Sequence, residues 1–209
     1  MALLARFPFA ADRCRSARRP ARASRAWLLA GLAFAALITP SGLRAQNAQT
    51  KEYQIKAVFL YNFLQFATWP ESAFPDAESP IRIGILGDDP FGGALVAAVQ
   101  NEKVGQRAVV VERFSRPQDM TGCHVVFASK SEAAYVPAIV GAFAGKRVLT
   151  VGEMPDFALR GGIINFYLEG AKVRFEINRA AAQRSGFKLS SQLLGLARVV
   201  GPAPEPGGG

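Results

Sequence analysis

Side chains able to do chemistry are scarce in this chain. It holds one histidine, His124, directly after Cys123. A metal centre needs several His, Cys or acidic ligands at fixed spacing, and none are grouped around His124. A Ser or Cys nucleophile would need His124 as its base, and the G-x-S-x-G elbow of hydrolases is absent. Nor can Cys123 and His124 pair on a strand, because adjacent strand residues point to opposite faces. The expectation is no catalytic residue, no metal and no cofactor, so not an enzyme. Cys123 then reads as a buried inert thiol and His124 as a satisfied core histidine.

The sharpest remaining candidate is the acidic pair Asp88-Asp89, which follows the apolar run Ile81–Leu86. Ligands of open α/β sheets sit at the carboxyl ends of the strands, where this pair falls. A phosphate is disfavoured there, because two carboxylates would meet it. A receiver-type phosphorylation site needs a third Asp after a middle strand, and that position reads Phe127-Ala128-Ser129-Lys130. The plain reading is a helix start, with Asp89 as N-cap and Pro90 at the first helical position. The ligand reading makes Asp88, Asp89, Phe91 and Ser129 the lining of a small-molecule site. Gly161-Gly162 supplies a turn.

Two surfaces offer contact chemistry instead. Residues 52–69 read as a helix that is apolar on most of its circumference, and such a helix needs cover on more than one side. Tyr53, Phe59 and Phe63 are its candidate partner-binding residues. In 172–177, Val173, Phe175 and Ile177 alternate with Lys172, Arg174 and Glu176, the pattern of a strand with one wet face. Arg174 and Glu176 join the candidate partner surface as a solvated face or a pairing edge.

The elements that must position these residues alternate. Strands are expected at 81–86, 109–114, 123–128 and 147–151, with helices from 90 to about 101 and at 131–143, the latter capped by Ser131. A hairpin at 163–168 and 172–177 turns at Glu169-Gly170, and helical segments at 178–185 and 189–200 close the domain. The fold class is α/β: a mainly parallel sheet flanked by helices on both faces, with a C-terminal antiparallel hairpin, three-layered and flavodoxin- or Rossmann-like.

Charge locates the chain rather than its partner. The formal net charge is +9. Residues 1–45 carry eight Arg against the one acid Asp12, which leaves +7, while 17 Lys/Arg against 15 Asp/Glu leave only +2 for residues 46–209. The body therefore has no nucleic-acid footprint. The first 45 residues combine an Arg-rich stretch, the uncharged run Trp27–Ile38, and Pro40-Ser41-Gly42 leading to Ala45. That is the layout of a cleaved signal peptide, which implies a product exported from the cytoplasm that does not span the membrane after cleavage. An uncleaved anchor is the rival, although the apolar run is well short of the roughly 20 residues a spanning helix needs. The organisation expected is 1–45 signal peptide, 46–200 one α/β domain and 201–209 a disordered tail. Cys14 leaves with the leader, so Cys123 has no partner for an internal disulfide.

Taken in order, "KAVFLYNFLQFATWPESAF", "IRIGILGDDPFG", "GCHVVFASKSE", "GKRVLTVGEMPDFALRGGIINFYLEGAKVRFEIN" and "SSQLLGLARVV" give the chain a resemblance. Over about residues 52–200 it resembles the YfiR-like family of small periplasmic proteins. Asp88, Pro90, Phe91, Gly162, Asn165, Phe175, Glu176 and Asn178 match that family's pattern, mostly as fold-determining positions. The resemblance implies a periplasmic regulator that inhibits an inner-membrane diguanylate cyclase by contact with its periplasmic domain. It thereby lowers cyclic-di-GMP and affects biofilm formation. An outer-membrane lipoprotein is implied as a second partner, and a homodimer as the working form. The disulfide pairs of some members cannot form here. The alternative is a periplasmic small-molecule sensor without enzymatic activity.

Overall fold

A computed structural model describes residues 41–69 and 73–202, with side chains from residue 46. Described residues from Leu43 onward fall in one compact unit. The leader up to Pro40 and the tail beyond Pro202 lie outside the described residues. Helix α1 spans Ser41–Phe66 and thus begins before the expected Glu52. Its buried positions are Tyr53, Lys56, Ala57, Leu60, Phe63 and Leu64, spaced three and four apart to form one continuous stripe.

That stripe lies on an eight-stranded sheet of order β2-β3-β1-β4-β5-β6-β7-β8. The strands are β1 (Ile81–Leu86), β2 (Lys103–Val104), β3 (Arg107–Phe114), β4 (Val125–Ala128), β5 (Leu149–Gly152), β6 (Ile164–Glu169), β7 (Lys172–Asn178) and β8 (Arg198–Val200). Pairing is parallel from β3 through β1, β4 and β5 to β6, and β6–β7 is an antiparallel hairpin. The chain reverses its direction of growth between β1 and β4, the kind of switch point where a crevice opens.

Alternation along the central strands sorts side chains into two cores. Ile83, Ile85, Val125, Phe127, Leu149 and Val151 join α1 and α2 (Ala94–Val99) on one face. Leu86, Val126 and Ala128 join α3 (Val136–Phe143), Met154 and Phe157 on the other. Burial on both sides explains why β4 reads as an unbroken apolar run, and why β1 and β5 are interrupted only at Arg82 and Thr150. Phe157 packs where two glycines leave room: a Cβ on Gly152 or Gly162 would lie 2.5 Å or 2.2 Å from its ring. Gly161, at φ +110°, makes the turn beside them.

Several expected boundaries shift. The stretch after β1 is not helical at Pro90. α2 starts at Ala94, and Asp89 caps a turn by accepting the Phe91 N–H (2.8 Å). The 131–143 helix begins as a 3-10 turn over Lys130–Tyr135, so Ser131 does not cap it. The last expected helix divides into α5 (Ser191–Leu196) and β8. Between β7 and α5, α4 covers Arg179–Arg184, and Asn178 Oδ1 caps it by accepting the Ala181 N–H (2.9 Å). Strand β8 pairs parallel to β7 at Glu176↔Arg198, so the hairpin is not the edge of the sheet.

Candidate functional site

The switch-point crevice is filled by the protein's own side chains. Asp88 donates its N–H to Ser131 Oγ (3.1 Å), Ser131 Oγ bonds Ser129 Oγ (2.8 Å), and the Ser131 hydroxyl donates to Glu132 (3.1 Å). Space above Gly87 is equally taken, since a Cβ there would lie 2.3 Å from Ser131 Oγ and 2.5 Å from Glu132 Oε1. Asp89 is held by Arg113 at 2.6 Å. Phe91 is buried, edge-on to Tyr53 and Phe127. Asp89, Phe91 and Ser129 thus have their side chains engaged within the protein, while Asp88 uses only its main-chain N–H and is exposed.

Beside that crevice lies a charged cluster that sequence reasoning missed. Lys56 on α1 is only 2 % exposed, and it meets Glu153, just past the carboxyl end of β5. Its ammonium donates to Glu153 Oε2 (2.6 Å) and to Glu52 Oε1 (2.5 Å), one turn earlier on the helix. The Tyr53 hydroxyl donates to both Glu153 oxygens at 3.1 Å, and its ring carries the ammonium 4.5 Å from its centre. Burial, and then the adjacent Glu153 carboxylate, push the Tyr53 hydroxyl far above its ordinary value. A buried pair pays heavily in lost hydration, and this one is compensated by hydrogen bonds to both partners. It pins α1 to the sheet.

Outside the pair, a groove of about 560 Å³ separates α1 from the β6–β7 turn. Ile55, Leu168, Ala171 and Val173 give it apolar walls, and Lys51, Glu52 and Lys130 are its charged lining. Ile55 is 38 % exposed and Leu168 48 %, while Val58, one turn along α1, is 53 % exposed. The two surfaces expected to serve contact, the first helix and the hairpin, do converge, but through different residues. Tyr53 and Phe63 are buried, and Phe59 is half-buried against Phe166 and Phe175. Glu176 is buried as well, accepting from Arg198 of β8 (2.5 Å) and Asn165 (3.2 Å). Phe63 and Glu176 are thus buried, the first under the sheet and the second beneath the Arg198 cation of β8, while Tyr53, also buried, still lines the groove. Arg174 is exposed and reaches Glu169 (3.2 Å).

Cys123 and His124 point to opposite faces. Cys123 joins the α3-side core, where burial pushes its thiol up to about 11. His124 lies at the amino ends of β1 and β4, where Nδ1 accepts the Arg82 N–H (3.1 Å) and Nε2 donates to the Ala73 carbonyl (3.1 Å). Burial lowers its affinity for a second proton. Among the described residues no group of three or more His, Cys, Asp or Glu is gathered to hold a metal, and no helix is long and apolar enough to cross a membrane.

Comparison with known proteins returned no curated protein that matches. Among solved structures, the chain is similar to an ABC domain in complex with L-Trp from Streptococcus pneumonia, at 11% identity and TM-score 0.45, covering 57% of this chain and 56% of that one. It is also similar to a conserved domain protein from Vibrio cholerae O1 biovar eltor, at 12% identity and TM-score 0.46, covering 68% and 59%. This chain thus spans under two thirds of either structure, and the likeness carries no argument about function. The family described as DUF4154, YfiR/HmsC-like, matches residues 53–198. With a match over most of its length, the chain belongs to the YfiR/HmsC-like family.

Proposed function

We propose that the protein is a periplasmic regulator that acts by protein contact, inhibiting an inner-membrane diguanylate cyclase and so lowering cyclic-di-GMP. Family membership over residues 53–198 is the observation that carries this reading. The leader layout supports export, and the acid-poor Arg run with its short apolar core is consistent with removal after translocation. A homodimer is the working form, and an outer-membrane lipoprotein is the second partner that would sequester it.

The contact face we assign to the cyclase is the groove between α1 and the hairpin. It has exposed apolar walls at Ile55 and Leu168 and a charged rim at Lys51 and Lys130, the pairing of apolar centre and polar rim that interfaces use. The test is expression with the leader intact in a bacterium that carries one periplasm-sensing diguanylate cyclase. Cyclic-di-GMP should fall, and Ile55→Glu or Leu168→Glu should abolish the fall while leaving the circular dichroism spectrum and yield unchanged. Unaltered cyclic-di-GMP with the wild-type protein correctly exported would sink the function. Full repression by both variants would sink the surface alone.

A further inference from the structure

We propose that the homodimer put forward above closes along the outer edge of β3, which pairs antiparallel with β3 of a second copy about a two-fold axis at Val111; this interface rests on that homodimer reading. Strand β1 covers the inner side of β3 at Val109–Phe114. On the outer side β2 reaches only Arg107 and Ala108, and among the described residues no other strand pairs there. The Phe114 carbonyl accepts the Gly87 N–H and so faces inward. Main-chain direction alternates along a strand, which turns the N–H and C=O groups of Val109, Val111 and Arg113 outward. Edges left to solvent are blunted by charge, proline or a bulge. Val109–Val111 carries neither charge nor proline, and its register with β1 is unbroken. A groove of about 670 Å³, walled by Val96, Val99, Val109 and Val111, follows this edge, and Val96 is 42 % exposed.

Register identifies the occupant as a second copy. Strand β2 blocks Ala108, so a two-fold pair can use β3 only from Val109 onward. Centred on Val111, the pair sets Val109 against Arg113, Val110 against Glu112 and Val111 against itself. Each outward-facing pair exchanges two hydrogen bonds, about six in all. Centred on Glu112 or Arg113, the strands would set glutamate against glutamate or arginine against arginine, and like charges directly opposite are destabilising. Centred on Val110, β2 would cut the pair to Val109–Val111. Val111 is thus the centre that uses the free edge and opposes no like charges. The pairing continues the sheet from one copy into the next. It leaves the groove between α1 and the hairpin free on each, because β6 and β7 lie toward the other end of the sheet.

The test uses the protein expressed with its leader intact and then purified. Sedimentation should show a concentration-dependent dimer. Val111→Pro removes an outward N–H that β1 does not use. It should keep the circular dichroism spectrum and raise the dimer dissociation constant roughly ten- to a hundredfold. Val111→Cys should give a reducible covalent dimer on mild oxidation. The wild type, whose Cys123 is buried, should not, and neither should Leu168→Cys on the hairpin. A dimer that Val111→Pro leaves intact, with no cross-link at position 111, overturns this seam and leaves the homodimer standing. A monomer at every concentration overturns both. Neither result touches the cyclic-di-GMP assay, which judges regulation separately. Should Val111→Pro fail to fold, Val96→Lys on the groove wall and the cross-link decide: a dimer unweakened by the first and uncaptured by the second sinks the seam.

Discussion

Lys56 and Glu153 offer the strictest check on how this fold is held. Their side chains are 2 % and 1 % exposed, so neither can recover water if its partner is removed. Lys56→Met keeps the length and the apolar stem but leaves the Glu153 carboxylate with only the Tyr53 hydroxyl. An abandoned buried charge costs about 3–5 kcal/mol. For a chain of this size that is a fall in melting temperature on the order of 10 °C. Lys56→Met with Glu153→Leu removes both buried charges, leaves the Tyr53 hydroxyl unpaired at roughly 1–3 kcal/mol, and leaves the more exposed Glu52 with Lys130 at 3.9 Å. Adding Tyr53→Phe removes that orphan too. Urea unfolding followed by far-ultraviolet circular dichroism should place the triple variant above Lys56→Met, with a coupling of at least about 2 kcal/mol between the two charges. If Lys56→Met unfolds within about 1 kcal/mol of the wild type, or if the double variant loses the sum of the two singles, the pair is not the joint described here.

Three further outcomes follow from the packing. Gly162→Ala puts a Cβ 2.2 Å from the Phe157 ring, and overpacking of this kind costs about 1–3 kcal/mol, readable as a lower urea midpoint. Cys123, with its thiol raised to about 11 by burial, should resist iodoacetamide at pH 7.5 for as long as the chain stays folded and react on adding urea; fast alkylation under native conditions would contradict its placement. Global stability should fall on acidification below about 6.5. Burial holds folded His124 below that ordinary value, so the unfolded chain takes up the proton first; the loss continues until pH reaches the folded value. Urea midpoints at pH 7.5 and 5.5 measure it, and His124→Gln should narrow the difference.

Long apolar runs made much of the sheet legible. Val125–Ala128 is buried on both faces and Ile81–Leu86 is buried except at Arg82, and the Glu169-Gly170 turn sets the hairpin register. The alternation in β7 was also readable, with Lys172 and Arg174 exposed as expected, but the burial of Glu176 was not, because its cover comes from the three-residue β8. A strand that short, following straight on from α5, has no period of its own to separate it from a helix. Lys56 was overlooked because a lysine inside an apolar helix reads as a surface position. A signal was present: it stands three residues from Tyr53 and four from Leu60, in phase with the buried stripe. Its partner could not be read, since Glu153 lies on a different element and only the fold brings the two together. The same holds for the acidic pair after β1, whose neighbours Ser131 and Glu132 come from after β4.

Strand β8 has a consequence for how the chain can be cut or extended. Among the described residues, it is the strand that pairs with the β7 main chain at Glu176–Asn178 on that side of the sheet. A C-terminal deletion that reached Arg198 would strip the neutralising cation from Glu176 and expose a row of unpaired amides and carbonyls, a ready template for strand-to-strand polymerisation between molecules. Additions placed after Pro202 leave that seam shut, so affinity tags belong beyond it and truncations should stop short of it.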